Sequence, residues 1–354
     1  MPNNNIKLLH LITGLGLGGA EKVVLDLTTH LNQNGYNCTV ATINNEVDRL
    51  QQFTNNNISL LIGGAEKSAV AVLKSFNKMV RFVKKENISL IHAHLFHGLM
   101  AANYVKLFCP KVKIIFSPHS ISLGSKNRER ITHLTKNLRT IDLILHQNNL
   151  RNFIKNNYQV IPNGIAMPAE FKRKNQFDKF IFLAVGNLRE EKNHLLLVNA
   201  AKKLVENNIS NFEIQIAGEG KMRPQLAAAI ATLQVENHVK LLGKQLAVSA
   251  LYKKAHAFVL PSKWEGMPLS VLEAAAYKLP VICTPVGSLT EIINAHNGWL
   301  AAENTFYNAM MSVMENYTTA LQKAKTLHNW VAKNYSNQNI FKAYEKIYEQ
   351  YLNH

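Results

Sequence analysis

Acidic residues are scarce in this chain. Its 354 residues carry 23 Asp and Glu against 40 Lys and Arg, a formal net charge of +17. The imbalance is concentrated early, with 19 basic against 8 acidic residues up to Pro162 and 21 against 15 beyond it. Such a field disfavours cationic partners and attracts anionic lipid or phosphorylated substrates. Cysteine is also rare. Cys38, Cys109 and Cys283 lie far apart, with no CxxC and no Cys/His ligand spacing, which excludes a disulfide framework and a zinc site and fits a reduced cytoplasmic setting. No apolar run approaches the roughly 18 to 20 residues that cross a bilayer. The opening MPNNNIKLLHLITG holds one lysine and runs into a glycine loop, so it reads as a first strand and not as a secretion signal. No internal repeat is visible. What is abundant is core material: 47% of residues are hydrophobic, enough to exclude wholesale disorder and, at this length, to build two α/β domains.

The first half alternates strand and helix patterns. Ile6 to Thr13, Asn37 to Ile43, Ile58 to Ile62, Ile88 to His92, Lys113 to Phe116 and Leu143 to His146 read as strands, and Glu21 to Asn34, Val70 to Lys85 and His97 to Phe108 as helices. This is the βαβα rhythm of a parallel sheet. After the first strand, Gly14, Gly16 and Gly19 spell G-x-G-x-x-G, the dinucleotide fingerprint, which keeps an NAD(P)-dependent oxidoreductase open. The acidic residue that this fingerprint wants at the end of the second strand is not clear, because that strand runs into Asn44-Asn45 before Glu46. The same glycines can instead let backbone N–H groups approach a diphosphate. His92, His94 and His97 are spaced i, i+2, i+5 with no carboxylate beside them in sequence, so no metal site is expected. His119 follows an apolar strand directly and should face a ligand cleft. Lys126 to Arg139 reads as one amphipathic basic helix, with Ile131, Leu134 and Leu138 at helical spacing, suited either to docking on the core or to an anionic membrane or acceptor.

The second half begins after the punctuated segment 160–165, VIPNGI. Phe180 to Val185 is a strand that ends in Gly186-Asn187-Leu188-Arg189, with Lys192 just before a helix from Leu195. Phe212 to Ala217 is another strand and ends in Gly218-Glu219-Gly220. Residues 261–291, PSKWEGMPLSVLEAAAYKLPVICTPVGSLTE, carry two carboxylates. Glu265 falls in the loop after a buried strand, and Glu273 in a short helix in which Pro268 takes the first position. Ligands of open parallel sheets bind at the carboxyl ends of the strands.

This block, with Gly-Gly-Ala-Glu at residues 18–21, VIPNG at 160–164 and Asn297-Gly298-Trp299-Leu300, resembles the family 4 retaining glycosyltransferases. The resemblance covers nearly the whole chain. It implies two Rossmann-like domains with parallel sheets facing a central cleft, the GT-B architecture, divided into an acceptor domain 1–162, a donor domain 163–337 and a final helix 338–354 packing back on the first domain. It implies transfer of a sugar from a nucleoside diphosphate, a UDP-sugar, to an acceptor hydroxyl, with retention and without metal or other cofactor. The leaving diphosphate's own oxygen can take the acceptor's proton. His119, Lys192, Glu265 and Arg189 would serve the reacting centre, Arg189 replacing the family arginine that is absent at Asn187. Gly18, Gly19, Gly218, Glu273, Gly266, Met267, Pro268 and Leu269 would hold the donor, with Glu273 on the ribose. The acceptor would be a glycan, glycolipid or lipid-linked sugar in bacterial surface polysaccharide or lipopolysaccharide assembly. Nucleic acid is not expected as a partner. The protein would be cytoplasmic, peripheral on the membrane's inner face. A non-catalytic sugar-nucleotide-binding protein is a further alternative.

Overall fold

The computed structural model describes residues 6–66, 68–120, 122–147, 150–169 and 178–352. The chain divides into two compact units, one of Met1–Gly164 with Asn337–His354 and one of Ile165–Ser336. The polar stretch expected before Lys179 falls largely outside the described residues.

The first unit is built on a seven-stranded parallel sheet. Its strands are β1 (Ile6–Ile12), β2 (Tyr36–Asn44), β3 (Ser59–Ala65), β4 (Leu90–His94), β5 (Lys113–Ser117), β6 (Ile141–Ile144) and β7 (Tyr158–Val160), in the order β3-β2-β1-β4-β5-β6-β7. Helices α1 (Gly19–Gln33), α2 (Leu50–Asn55), α3 (Ala69–Glu86), α4 (Leu95–Phe108) and α5 (Lys126–Leu134) connect them. Side chains alternate between faces along each strand. Leu9 and Leu11 pack with Ile91 and Ala93 beneath α3 and α4, whereas Leu8 joins Leu90, Ile115 and Leu27 on the opposite face. His10 shares that second face. Each Leu or Phe so enclosed contributes about 1.5 to 3 kcal/mol.

The second unit carries a six-stranded parallel sheet of β8 (Phe180–Val185), β9 (Phe212–Ala217), β10 (Val239–Gly243), β11 (Ala257–Leu260), β12 (Val281–Cys283) and β13 (Trp299–Leu300), in the order β10-β9-β8-β11-β12-β13. Its helices are α6 (Leu195–Glu206), α7 (Arg223–Thr232), α8 (Ser249–Lys254), α9 (Leu269–Ala276), α10 (Leu289–Ile292), α11 (Phe306–Glu315) and α12 (Tyr317–Tyr335). The final helix, α13 (Asn337–Leu352), belongs to the first unit. The stripe Ile340, Tyr344, Ile347 is buried there, joined by Phe341 and Tyr348. Tyr348 Oη lies 2.7 Å from His92 Nδ1, which pins the helix to β4.

Two local expectations are corrected. The basic helix stops at Leu134, not Arg139: the Thr135 hydroxyl bonds back to the Ile131 carbonyl at 3.0 Å and a 3₁₀ turn, Lys136–Leu138, follows. Arg139 is not on a basic surface at all. It is fully buried and bidentate to Asp142 at 2.7 and 2.9 Å, and it also donates to the carbonyls of Thr132 and Phe153. A guanidinium needs such a set of partners once it is out of water. Pro268 is the residue before the helix, with φ −73° and ψ 112°, and α9 starts at Leu269. β7 runs to Val160 beside β6, and the first unit ends at Gly164. Among the described residues, no helix is long and apolar enough to cross a membrane.

Candidate active site

In the second unit the chemistry gathers at the carboxyl ends of β8 and β11. β8 ends at Val185, and the chain turns past Gly186 into a 3₁₀ turn, Glu190–Lys192, that Asn193 closes in a left-handed conformation at φ 51°. This turn presents Lys192. Its stem passes over Gly186, where a Cβ would sit 3.7 Å from Cε. β11 ends at Leu260, and the following loop presents Ser262 and Glu265. Lys192 Nζ lies 2.6 Å from Glu265 Oε1, and the Ser262 hydroxyl donates to the same oxygen at 2.6 Å. Glu265 is only 8% exposed. A buried ion pair contributes little net stability because desolvation offsets the attraction, so this pair is better understood as poised chemistry.

Neighbouring loops fix the carboxylate from behind. Gly287 has φ +55°, and a Cβ there would lie 1.9 Å from the Glu265 carbonyl oxygen. Only glycine lets the loop after β12 rest on this backbone. Gly218, at φ +154°, does the same at the end of β9, where a Cβ would meet the Gly186 carbonyl at 1.9 Å. Arg189 stands apart. Its side chain is 63% exposed and lies 3.8 Å from Glu191, so the structure does not bring it to the Lys192–Glu265 pair.

Glu273 lies on α9 and accepts a hydrogen bond from the fully buried Tyr252 hydroxyl at 2.8 Å. Tyr277 stacks on Tyr252 with ring centroids 5.3 Å apart. Burial, then the Glu273 charge, raises the Tyr252 pKa well above its ordinary value, so the phenol stays a donor. Met267 and Pro268 are buried and Gly266 half-buried in the loop leading to α9, and Leu269, half-buried, opens the helix. Ser262 and Tyr252 were not singled out in the sequence. A lone Ser after Pro and a Tyr in a short Lys-rich helix carry no pattern of their own.

In the first unit the glycine loop divides in two. A Cβ at Gly14 would meet Asn44 Oδ1 at 2.2 Å, and one at Gly16 would meet Glu46 Oε1 at 2.5 Å. These two glycines are therefore used for packing against Asn44 and Glu46 at the end of β2 and beyond, which explains two of the three glycines of the apparent dinucleotide fingerprint without a dinucleotide. Gly18 and Gly19 open α1, Gly18 as its N-cap. Glu21 folds back over Gly18, and burial raises its pKa.

Strands β1, β4 and β5 bring four histidines together. His10 and His92 are register partners across β1 and β4. His10 Nδ1 lies 3.0 Å from His94 Nε2, and His94 Nδ1 lies 2.8 Å from His119 Nε2. His119 itself is partly exposed and left-handed at φ 56°. Burial lowers the pKa of His10 to about 3 and that of His119 to about 4. It also holds His92 and His94 well below the usual histidine range, with the neighbouring imidazoles adding to the effect. Among the described residues, His10, His92 and His94 form a group whose ring nitrogens come within 4.8 Å of one another. Both nitrogens of His92 are engaged by hydroxyls, those of Tyr348 and Ser117 at 2.7 and 2.8 Å, which suits hydrogen bonding better than metal ligation. His97 lies 3.4 Å from the Thr13 hydroxyl instead. His10 was missed because one histidine in an apolar strand reads as core.

Comparison with known proteins agrees with this geometry. Residues 17–167 match the family model described as Glycosyltransferase Family 4, and residues 168–336 match that described as Glycosyl transferases group 1. The chain is 28% identical over 319 residues to an Escherichia coli protein named UDP-Gal:alpha-D-GlcNAc-diphosphoundecaprenol alpha-1,3-galactosyltransferase, covering 80% of each. It is 25% identical to the amylovoran biosynthesis glycosyltransferase AmsD of Erwinia amylovora, covering 78% of this chain and 80% of that one. The solved structure of Anabaena HepE in complex with UDP and glucose superposes with a TM-score of 0.85 at 16% identity, covering 98% of this chain and all of that one. The two parallel-sheet units are thus those of a GT-B enzyme, and the chain belongs to glycosyltransferase family 4.

Proposed function

We propose that this glycosyltransferase uses a UDP-sugar donor and transfers the sugar, with retained anomeric configuration and without a metal ion, to a lipid-linked or glycan acceptor in bacterial surface polysaccharide or glycolipid assembly. The observation that carries this reading is the Lys192–Glu265 pair held at the strand ends of the second unit. The names of the E. coli and E. amylovora relatives and the ligands of HepE support the choice of donor and pathway.

In this account Lys192 exchanges its partner for the donor diphosphate and stabilises the charge that develops there. Glu265 faces the sugar. Glu273, held by Tyr252, accepts hydrogen bonds from the ribose hydroxyls. Gly218 and the segment 266–269 line the nucleotide, and α9 offers its N-terminal amides. His119 is read as a contact of the sugar and the amides of Gly18 and Gly19 as contacts of the phosphates. As the C1–O bond to diphosphate breaks, the acceptor oxygen bonds to C1 and its proton passes to a diphosphate oxygen. Cationic Lys192 takes the place a divalent ion would otherwise fill. Arg189 would have to leave Glu191 to assist.

The protein is proposed to work at the cytoplasmic membrane surface, where nucleotide sugars are available and its three free cysteines stay reduced. Helix α5 supports this: Ile131 and Leu134 are 42% and 71% exposed among Lys126, Arg130 and Lys136, an apolar and basic surface of the kind that meets anionic lipid. A thermal-shift screen of nucleotide sugars tests the donor, since a selective ligand raises the melting point by mass action. Proton coupling constants of the first product formed then report retention.

A further inference from the structure

We infer that His10 is a positioning residue. Through His94 it fixes the tautomer of His119, so that His119 presents an Nδ1–H donor to its ligand. This rests on the reading above that His119 touches the donor sugar, and it specifies what that contact is.

His10 is fully buried, and its Nε2 makes no hydrogen bond. A neutral imidazole has one N–H and one bare nitrogen. Leaving a buried N–H unpaired is the costlier error, because unpaired donors are the rarer exception in folded proteins. The bare nitrogen of His10 is therefore Nε2 and its proton sits on Nδ1. That proton is donated across 3.0 Å to His94 Nε2. His94, having accepted at Nε2, must carry its own proton on Nδ1, and it donates this across 2.8 Å to His119 Nε2. His119 in turn keeps its proton on Nδ1, the nitrogen that makes no hydrogen bond among the described residues.

The chain of three rings has one direction, and the direction is set at its buried end. The ring geometry suits N–H···N bonds: His10 and His94 are nearly parallel at 12° with centroids 5.3 Å apart, and His94 and His119 at 27° and 5.1 Å. His92, 3.9 Å from His94 by ring centroids, is held by Tyr348 and Ser117 and takes no part in the chain. Burial keeps all the rings neutral at physiological pH, so no imidazolium with two donors scrambles the order. A fixed Nδ1–H recognises an oxygen acceptor, such as a sugar hydroxyl or a phosphate oxygen, and turns away a donor.

The test is the long-range proton–nitrogen spectrum of the full chain labelled with ¹⁵N-histidine at pH 7. The expected result is the Nδ1–H tautomer at His10, His94 and His119. An Nε2–H tautomer at any of the three overturns the proposal, as does the nitrogen shift of a metal-bound ring in the His10, His92, His94 group. Variants give a second readout. His10→Phe should leave His119 a mixture of tautomers and lower kcat/KM for the donor about tenfold. His10→Asn, whose amide N–H stands where Nδ1–H was, should recover most of that loss. Equal losses in the two variants would mean that His10 only fills space. His119→Ala separates the two readings: unchanged donor use would remove the sugar contact, while the spectra of the wild-type protein still decide the tautomer chain.

Discussion

Lys192 Nζ and Glu265 Oε1 lie 2.6 Å apart, one from the turn after β8 and the other from the loop after β11. The two residues are 73 positions apart in sequence and meet because their strands are neighbours in the sheet. Under the proposed function, a lysine pinned to a carboxylate in this way would give a diphosphate a preorganised cation, at no cost of gathering it when the reaction begins.

Lys192→Ala should therefore lower kcat about 100-fold and, by leaving the buried Glu265 carboxylate without its cation, also lower the melting temperature. Circular dichroism and steady-state rates with the preferred nucleotide sugar check this. Glu265→Gln keeps the Ser262 hydrogen bond and should also lose rate, since its neutral amide no longer balances positive character at the sugar.

Tyr252→Phe removes the hydroxyl that holds Glu273. Donor KM should rise about tenfold with a smaller change in kcat, because the ribose is bound alike in ground and transition states. Glu273→Ala should raise KM further. A fall in kcat alone would place Glu273 elsewhere.

Gly287→Ala tests the packing behind the pair. The new Cβ would meet the Glu265 carbonyl at 1.9 Å on a backbone at φ +55°, so stability should fall by about 2 kcal/mol or more. Urea midpoints measure this, and activity should fall along with it as Glu265 shifts.

Acid should destabilise the protein through its buried histidines. Folding lowers the pKa of His119 and of His194, the buried residue just before α6, from 6.5 to about 4 and that of His10 to about 3, chiefly by burial. The unfolded chain therefore binds these protons first. The stability they contribute is complete above 6.5 and is lost as pH falls through that value towards 4. Glu21 and Asp142, whose pKa values burial raises, act in the opposite sense near the bottom of that range. The urea midpoint should drop between pH 7 and pH 5, and less steeply in His194→Leu.

Leu134→Glu should weaken co-sedimentation with anionic vesicles and leave neutral vesicles unaffected, with no change in melting temperature, because Leu134 is 71% exposed. Unchanged sedimentation would assign α5 to the solvent.

Much of the fold could be read from apolar runs and their punctuation. The strands ending at Val185, Ala217, Leu260 and Cys283 follow from buried runs closed by Gly, Pro or Thr, and the loop position of Glu265 followed from them. What could not be read depends on register and on distant partners. His10 joins a histidine chain only because β1 lies beside β4 with His10 opposite His92. Arg139 was assigned to a helix face from local spacing, yet Asp142 and two carbonyls draw it inside. Gly14 and Gly16 matched a nucleotide pattern, but the loop of Asn44 and Glu46 fills the space above them. Each of these outcomes was decided by a contact between segments, which local spacing does not encode.

The central claim is that the second unit grips a UDP-sugar through Lys192 and Glu273. Calorimetric titration of UDP, paired with turnover of the preferred UDP-sugar, tests it most directly in the wild-type protein, Lys192→Ala and Glu273→Ala. The account predicts that UDP binds the wild type, that Glu273→Ala weakens this binding about tenfold and that Lys192→Ala loses turnover about 100-fold. Wild-type affinity and wild-type turnover in both variants would contradict it.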